Sequence, residues 1–127
     1  MPLRLWLVGG LVGGLIGAAY AVERPLKGPE IEALLKGATA VGASQRGEWR
    51  QYFSSGGETD YALAGAAPSV GGWDVRGDKF CSLWPPNDRW TCYDVLGDLE
   101  ADPKTVIWVG DGGARYPAAM REGKAMP

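Results

Sequence analysis

GGWDVRGDKFCSLWPPNDRWTCYDV, residues 71–95, holds both cysteines of the chain and three of its six tryptophans. Trp73-Asp74-Val75-Arg76 alternates apolar and charged, the period-two pattern of a strand with one buried face. Gly77-Asp78 sets a residue that tolerates positive φ beside one that bonds its own backbone, so the chain can reverse there. The next run, Lys79 to Trp84, stops at Pro85-Pro86-Asn87-Asp88, because proline brings no N–H to a ladder. The third, Arg89 to Val95, carries Thr, Tyr, Trp and Val, types that suit a pleated surface. The stretch predicts three consecutive antiparallel strands.

A hairpin closed by those four turn residues sets Trp84 opposite Arg89, Leu83 opposite Trp90 and Cys81 opposite Cys92. Directly opposed residues have Cβ atoms roughly 4.5–5.5 Å apart, so a disulfide needs only modest adjustment. Restricting so short a loop in the unfolded chain contributes about 2–3 kcal/mol. Free buried thiols are the alternative. A metal site is not expected, since the chain has no histidine and two thiolates fill half of a tetrahedral shell. Alternation puts Cys81, Leu83, Trp90 and Cys92 on one face and Phe80, Ser82, Trp84, Thr91 and Tyr93 on the other. With the cysteine face inward, Trp73 and Trp90 are core residues. Phe80, Trp84 and Tyr93 then form an outward aromatic ridge, with Arg89 in cation–π reach of Trp84. Phe80, Trp84, Arg89 and Tyr93 are thus the candidate binding surface. The competing reading is a second, minor core covered by a helix or a terminal segment.

At 127 residues the chain makes one domain, and its 20 glycines and 9 prolines mean many turns. A net charge of −2 with singly scattered basic residues excludes a nucleic-acid footprint. Lack of histidine removes the commonest proton shuttle, so the expectation is no enzyme and no cofactor. Asp98, Glu100 and Asp102 share one loop without the glycine and bidentate glutamate of a calcium hand, so a solvated loop is expected. Arg76-Gly77-Asp78 reads as a hairpin turn, and Gly110–Gly113 as a turn without the lysine of a phosphate loop.

Residues 1–21 open with MPLR, continue through an apolar middle and end Ala18-Ala19-Tyr20-Ala21, the form of a signal peptide cleaved after Ala21. A retained membrane anchor is the alternative. The apolar run from Leu5 to Val22 has 18 residues, and Gly9, Gly13 and Gly17 recur at helix-packing spacing. Either way the rest of the chain reaches an oxidising compartment, periplasmic or secreted, or stays inner-membrane anchored with its β domain in the periplasm. Residues 22–29 read as a spacer. Pro29 followed by Glu30 to Lys36 and Gly37 has the proline, acids, lysine and glycine of a short helix that caps a core. Strand-length runs follow at 38–43, 48–53, 59–63 and, after the hairpin, 104–109. The expected fold is all-β: an antiparallel up-and-down meander or barrel of about seven strands, disulfide-stapled over 30–116, with 117–127 a loose tail.

Leu35…Gly37, Glu48-Trp49…Tyr52-Phe53…Gly57, Gly72-Trp73-Asp74-Val75…Gly77-Asp78…Cys81…Cys92-Tyr93 resembles a group of small exported alphaproteobacterial proteins, the DUF995-like group. The resemblance spans roughly residues 34–95, rests on tryptophan, glycine and cysteine punctuation, and implies a periplasmic lipocalin-like β-meander. It carries no catalytic residues. Gly112-Gly113-Ala114-Arg115-Tyr116 is similar to the Ser-Gly-Ala-Arg-Tyr loop of periplasmic inhibitors of c-type lysozyme, with Gly112 in place of the serine and Gly123-Lys124-Ala125 echoing a later lysine motif.

Three functions are therefore open. The first is a non-enzymatic exported domain that binds a protein partner, an envelope component or a small apolar ligand. The second is a lysozyme inhibitor acting through Arg115 and Tyr116. The third is a membrane-anchored accessory subunit held by its glycine-rich helix. Whichever holds, thiol labelling of the denatured, unreduced protein should find no free cysteine, and two labelled thiols would overturn the hairpin register.

Overall fold

In the computed structural model the structure describes residues 23–127, so the expected leader or anchor at 1–21 lies outside the described residues. The chain order is β1 (Arg24–Pro25), α1 (Gly28–Leu35), β2 (Ala38–Ser44), β3 (Gly47–Phe53), β4 (Glu58–Leu63), β5 (Ser69–Arg76), β6 (Lys79–Leu83), β7 (Thr91–Asp98), β8 (Thr105–Val109) and β9 (Arg115–Glu122). The fold is the expected all-β one. Strands β2 to β8 are antiparallel neighbours in sequence order, and β7 pairs with β8. β9 lies between β8 and β2, which closes an eight-stranded barrel and leaves β1 as an added strand.

The two ends of the expected domain are corrected. Residues 117–127 are not a loose tail: most of β9 lies there, and the chain beyond it is tied down. The buried Thr39 hydroxyl donates to Gly123 O (2.7 Å) and accepts from Ala125 N (2.9 Å), while Arg50 Nη1 donates to Ala125 O (2.7 Å). Two small apolar residues, Ala118 and Ala119, and the N–H-less Pro117 gave β9 too weak an alternation to read as a strand. Nor is the described part of the expected 22–29 spacer, residues 23–29, free. β6 leaves β7 unpaired beyond Asp94, and β1 takes over there through Arg24↔Gly97 and Pro25↔Leu96. Leu26 follows into the core at 3 % exposure.

The connections at 45–46, 64–68, 84–90 and 110–114 lie at one end of the barrel; those at 54–57, 77–78 and 99–104 lie at the other. Helix α1 caps this second end with Ile31, Leu34 and Leu35 in the core. Its entry rests on the β5–β6 turn: Gly28 N donates to Asp78 Oδ1 (2.7 Å), and a Cβ at Gly28 would collide with Gly77 O. Arg76-Gly77-Asp78 is thus a turn whose carboxylate holds the helix start. Asp98 is buried rather than solvated, and its Oδ1 accepts from Glu100 N and Ala101 N to shape the next loop. Among the described residues no helix is long and apolar enough to cross a membrane, and no acidic or cysteine cluster could hold a metal ion.

Cys81 and Cys92 are opposite one another, 4.0 Å between Cα atoms, and disulfide-bonded as the register required. The faces, however, are reversed. Phe80 is 3 % exposed and central to the core, whereas Trp90 is 37 % exposed on the outside with Arg76 over its ring at 4.3 Å. Both faces of this hairpin are apolar, so local alternation separates them without saying which is inward. The larger aromatic set wins the interior: Phe53 packs with Trp73 (5.7 Å between centroids), Phe80 (5.6 Å) and Trp108 (5.9 Å), and Val95 lies beside Trp108 across β7 and β8.

Trp73, 8 % exposed with its indole N–H donated to Ser54 O (2.9 Å), is core as expected, and Trp90 is not. Trp73→Ala should cost about 3–5 kcal/mol in urea unfolding. Trp90→Ala should cost about 1 kcal/mol or less, the range of an exposed cation–π contact. Equal costs would mean that the barrel is inside out.

At the capped end, Arg24 Nη2 donates to Glu30 Oε2 (2.6 Å), and Lys27 N donates to Glu30 Oε1 (3.0 Å). The Arg24 hydrogen bond first, then the Lys27 N–H, hold the Glu30 carboxyl down at about 2. A carboxyl depressed on folding adds stability above its unfolded value near 4.3 and loses it as pH falls through the folded value. The acid loss of stability between about pH 4 and pH 2 should therefore shrink in Glu30→Gln, and Arg24→Gln should raise the Glu30 titration part of the way back, with the Lys27 N–H still holding it down.

Candidate functional site

Among the described residues, none fills the end of the barrel opposite α1. A cavity of about 570 Å³ opens there, lined by Ser44, Trp49, Gln51, Tyr61, Ser69, Phe80, Ser82, Trp84, Pro85, Pro86, Asn87, Tyr93, Trp108 and Tyr116. These come from β2 to β9 because every second residue of each strand faces inward. The Phe53, Phe80 and Trp108 rings pack at its floor, and the 84–90 loop and Tyr116 frame its mouth.

Two glycines let the tryptophans lie flat on the wall. A Cβ at Gly42 would collide with the Trp49 ring, and one at Gly71 would collide with Leu83 O and the Trp84 ring. The small residues of β2, poor strand formers by propensity, therefore serve the packing of Trp49 across from it. Trp49 stacks on Tyr61 at 6.0 Å and 27°, and Tyr61 meets the Trp84 ring edge-on at 6.3 Å. The Trp84 indole N–H donates to Ser82 Oγ (3.2 Å), and Asn87 N donates to Trp84 O (2.9 Å). The Tyr93 phenol is raised, by burial first and then by its neighbour Tyr116, whose ring lies 6.2 Å away. It stays protonated at neutral pH.

Of the four residues expected on a convex ridge, Phe80, Trp84 and Tyr93 do come together, but on a concave inner wall. Arg89 is exposed on the loop outside and does not share their face; the cation lying over an indole on this hairpin is Arg76, over Trp90. Arg115 and Tyr116 are parted by the alternation of β9. Tyr116, 48 % exposed, joins the mouth, and Arg115 Nη2 pairs outside with Glu23 Oε1 (3.5 Å). Lys124 sits at the capped end, paired with Asp60 (3.3 Å), so the later lysine is not brought to the Arg115 loop.

Trp49, Gln51, Tyr61 and Trp108 also line the site; the strand patterns of Trp49 and Trp108 mark them as core, and none of the four was singled out as a site residue. Their inward alternation was readable at Trp49-Arg50-Gln51-Tyr52-Phe53, but a wall of a cavity and a filled core give the same pattern. A second concavity, a groove of about 990 Å³, runs outside the barrel between α1 and the 99–104 loop. Charged ends such as Glu30, Lys36, Asp102, Lys104 and Arg121 are mixed through its lining. The chain matches no family model, no curated protein and no solved structure.

Proposed function

We propose that this protein is an exported, non-catalytic binding domain that takes a small apolar ligand into the open end of its barrel. The single observation that carries the reading is the 570 Å³ aromatic cavity, closed below by packed rings and open between the 84–90 loop and Tyr116. Ligand sites are commonly concave, mostly apolar and set in the mouths of β-barrels. Binding rather than turnover is favoured by the lining: among the described residues it has no carboxylate, amine, imidazole or thiol to act as base or nucleophile. Export is supported by the Cys81–Cys92 disulfide and by the form of residues 1–21.

The test uses N-phenyl-1-naphthylamine, an uncharged dye that brightens in apolar surroundings. It should bind saturably, one per chain, with quenching of the protein's tryptophan emission. Ser69→Trp sets a bulky ring at the exposed rim of the mouth and should weaken the dye at least about tenfold with the melting temperature nearly unchanged. Dye affinity unaffected by Ser69→Trp, or no saturable binding at all, would remove the cavity as the site.

A further inference from the structure

We infer that the ligand is an uncharged, planar, fused-ring aromatic compound bearing an O–H or N–H donor, and that the side-chain carbonyl of Gln51 is the acceptor that recognises this donor. The inference rests on the cavity reading above and narrows it to a chemical class.

Charge is the first restriction. Among the described residues, no lining side chain is charged near neutrality, and burial holds the Tyr93 phenol protonated. A carboxylate or ammonium entering the cavity would give up its hydration with no counter-charge to replace it.

Shape is the second. Rings such as Trp49, Tyr61, Trp84 and Tyr93 make the apolar lining together with two prolines, and among the described residues no leucine, isoleucine, valine or methionine joins them. Flat rings gain most from offset or edge contact with another ring system. A fatty acid is poorly served on both counts.

The third restriction is an acceptor left over. Gln51 shares the inward alternation of Trp49 and Phe53 and lies opposite Tyr61 on β4. It is only partly buried, and a side chain inside a closed barrel owes its exposure to the lumen. Thr59 orients its amide. The Thr59 hydroxyl donates its one hydrogen to Tyr52 O (2.8 Å), so toward Gln51 it can only accept, and it accepts from Nε2 (3.1 Å). Gln51 Oε1 is thereby left without a partner among the described residues. It is not shut away: the buried side-chain polar atoms lacking a partner are Thr105 Oγ1 and Trp108 Nε1, and Gln51 Oε1 is not one of them.

The hydroxyls of Tyr61 and Tyr93 can donate or accept and so do not choose between ligands, whereas a carbonyl only accepts. A ligand that fills the lumen takes the Gln51 carbonyl out of water. One that carries an O–H or N–H restores its hydrogen bond, and one without leaves a polar group unmet.

The probes 2-naphthol, 2-methoxynaphthalene and 2-naphthoate share one fused-ring frame and offer a neutral donor, its methylated form and a charge. Titrated into the intact protein at neutral pH and followed by calorimetry, naphthol should bind about tenfold tighter than methoxynaphthalene, and naphthoate weaker than both. Gln51→Met keeps the length of the side chain and deletes the amide. It should bring naphthol down to methoxynaphthalene's affinity and leave methoxynaphthalene unchanged. The side-chain carbonyl carbon resonance of Gln51 gives the same answer without a substitution, and should move downfield with naphthol and not with methoxynaphthalene. Equal affinities for the two neutral compounds, a naphthol advantage that survives Gln51→Met, an unmoved resonance, or tightest binding of naphthoate would each overturn the inference and leave the cavity as a binding site. Failure of both neutral compounds to bind would overturn the cavity reading and this inference together.

Discussion

The hydrogen bonds that β9 makes to β2 on one side and β8 on the other are the constraint on which the interior depends. Without them the meander would be an open sheet with two bare edges and two candidate faces. With them one face becomes a closed interior, and the period-two alternation of every strand is divided into inside and outside at once. The tail beyond β9 is held by Thr39, whose buried hydroxyl both donates and accepts there, so the closing strand is fastened at its far end as well.

Closure also sets how much space must be filled, and the chain fills it unevenly. At the α1 end, Ile31, Leu34 and Leu35 join Leu26 and the Phe53, Phe80 and Trp108 cluster in a dense core. At the other end glycine and serine stand where larger residues would fit: Gly42 beneath Trp49, Gly71 beneath Trp84, and Ser44, Ser69 and Ser82 around the opening. Small residues on one strand oblige large rings on its neighbours to lie against the wall instead of across the lumen. The same choice that makes β2 a weak strand by propensity leaves the cavity open. The disulfide holds the roots of the 84–90 loop together at the mouth, from the outer surface rather than from within.

Much of the architecture was legible because it depends on neighbours in sequence. The Gly77 turn, the proline stop after Trp84 and the Cys81–Cys92 register all follow from residues within one hairpin, and each is present. So is α1, whose acid at Glu30 and glycine at Gly37 bracket it. β9 was not legible, since Pro117 and two alanines hide its alternation, and its partners lie at the two ends of the meander. The candidate site was half legible: Phe80, Trp84 and Tyr93 were grouped correctly by alternation and given the wrong side.

By itself the sequence determined the strands from β2 to β8, their order, the disulfide and which side chains of the hairpin share a face, because those follow from local turns and a period of two. Only the tertiary structure decided which face is inside, since both faces of the 79–95 hairpin are apolar and the choice lies with rings on β3, β5 and β8 that Phe80 meets in the interior. It likewise decided that the interior keeps a cavity. Whether inward rings meet or stand apart depends on the circumference of the barrel and on the glycines opposite them, and no stretch of one strand contains that information.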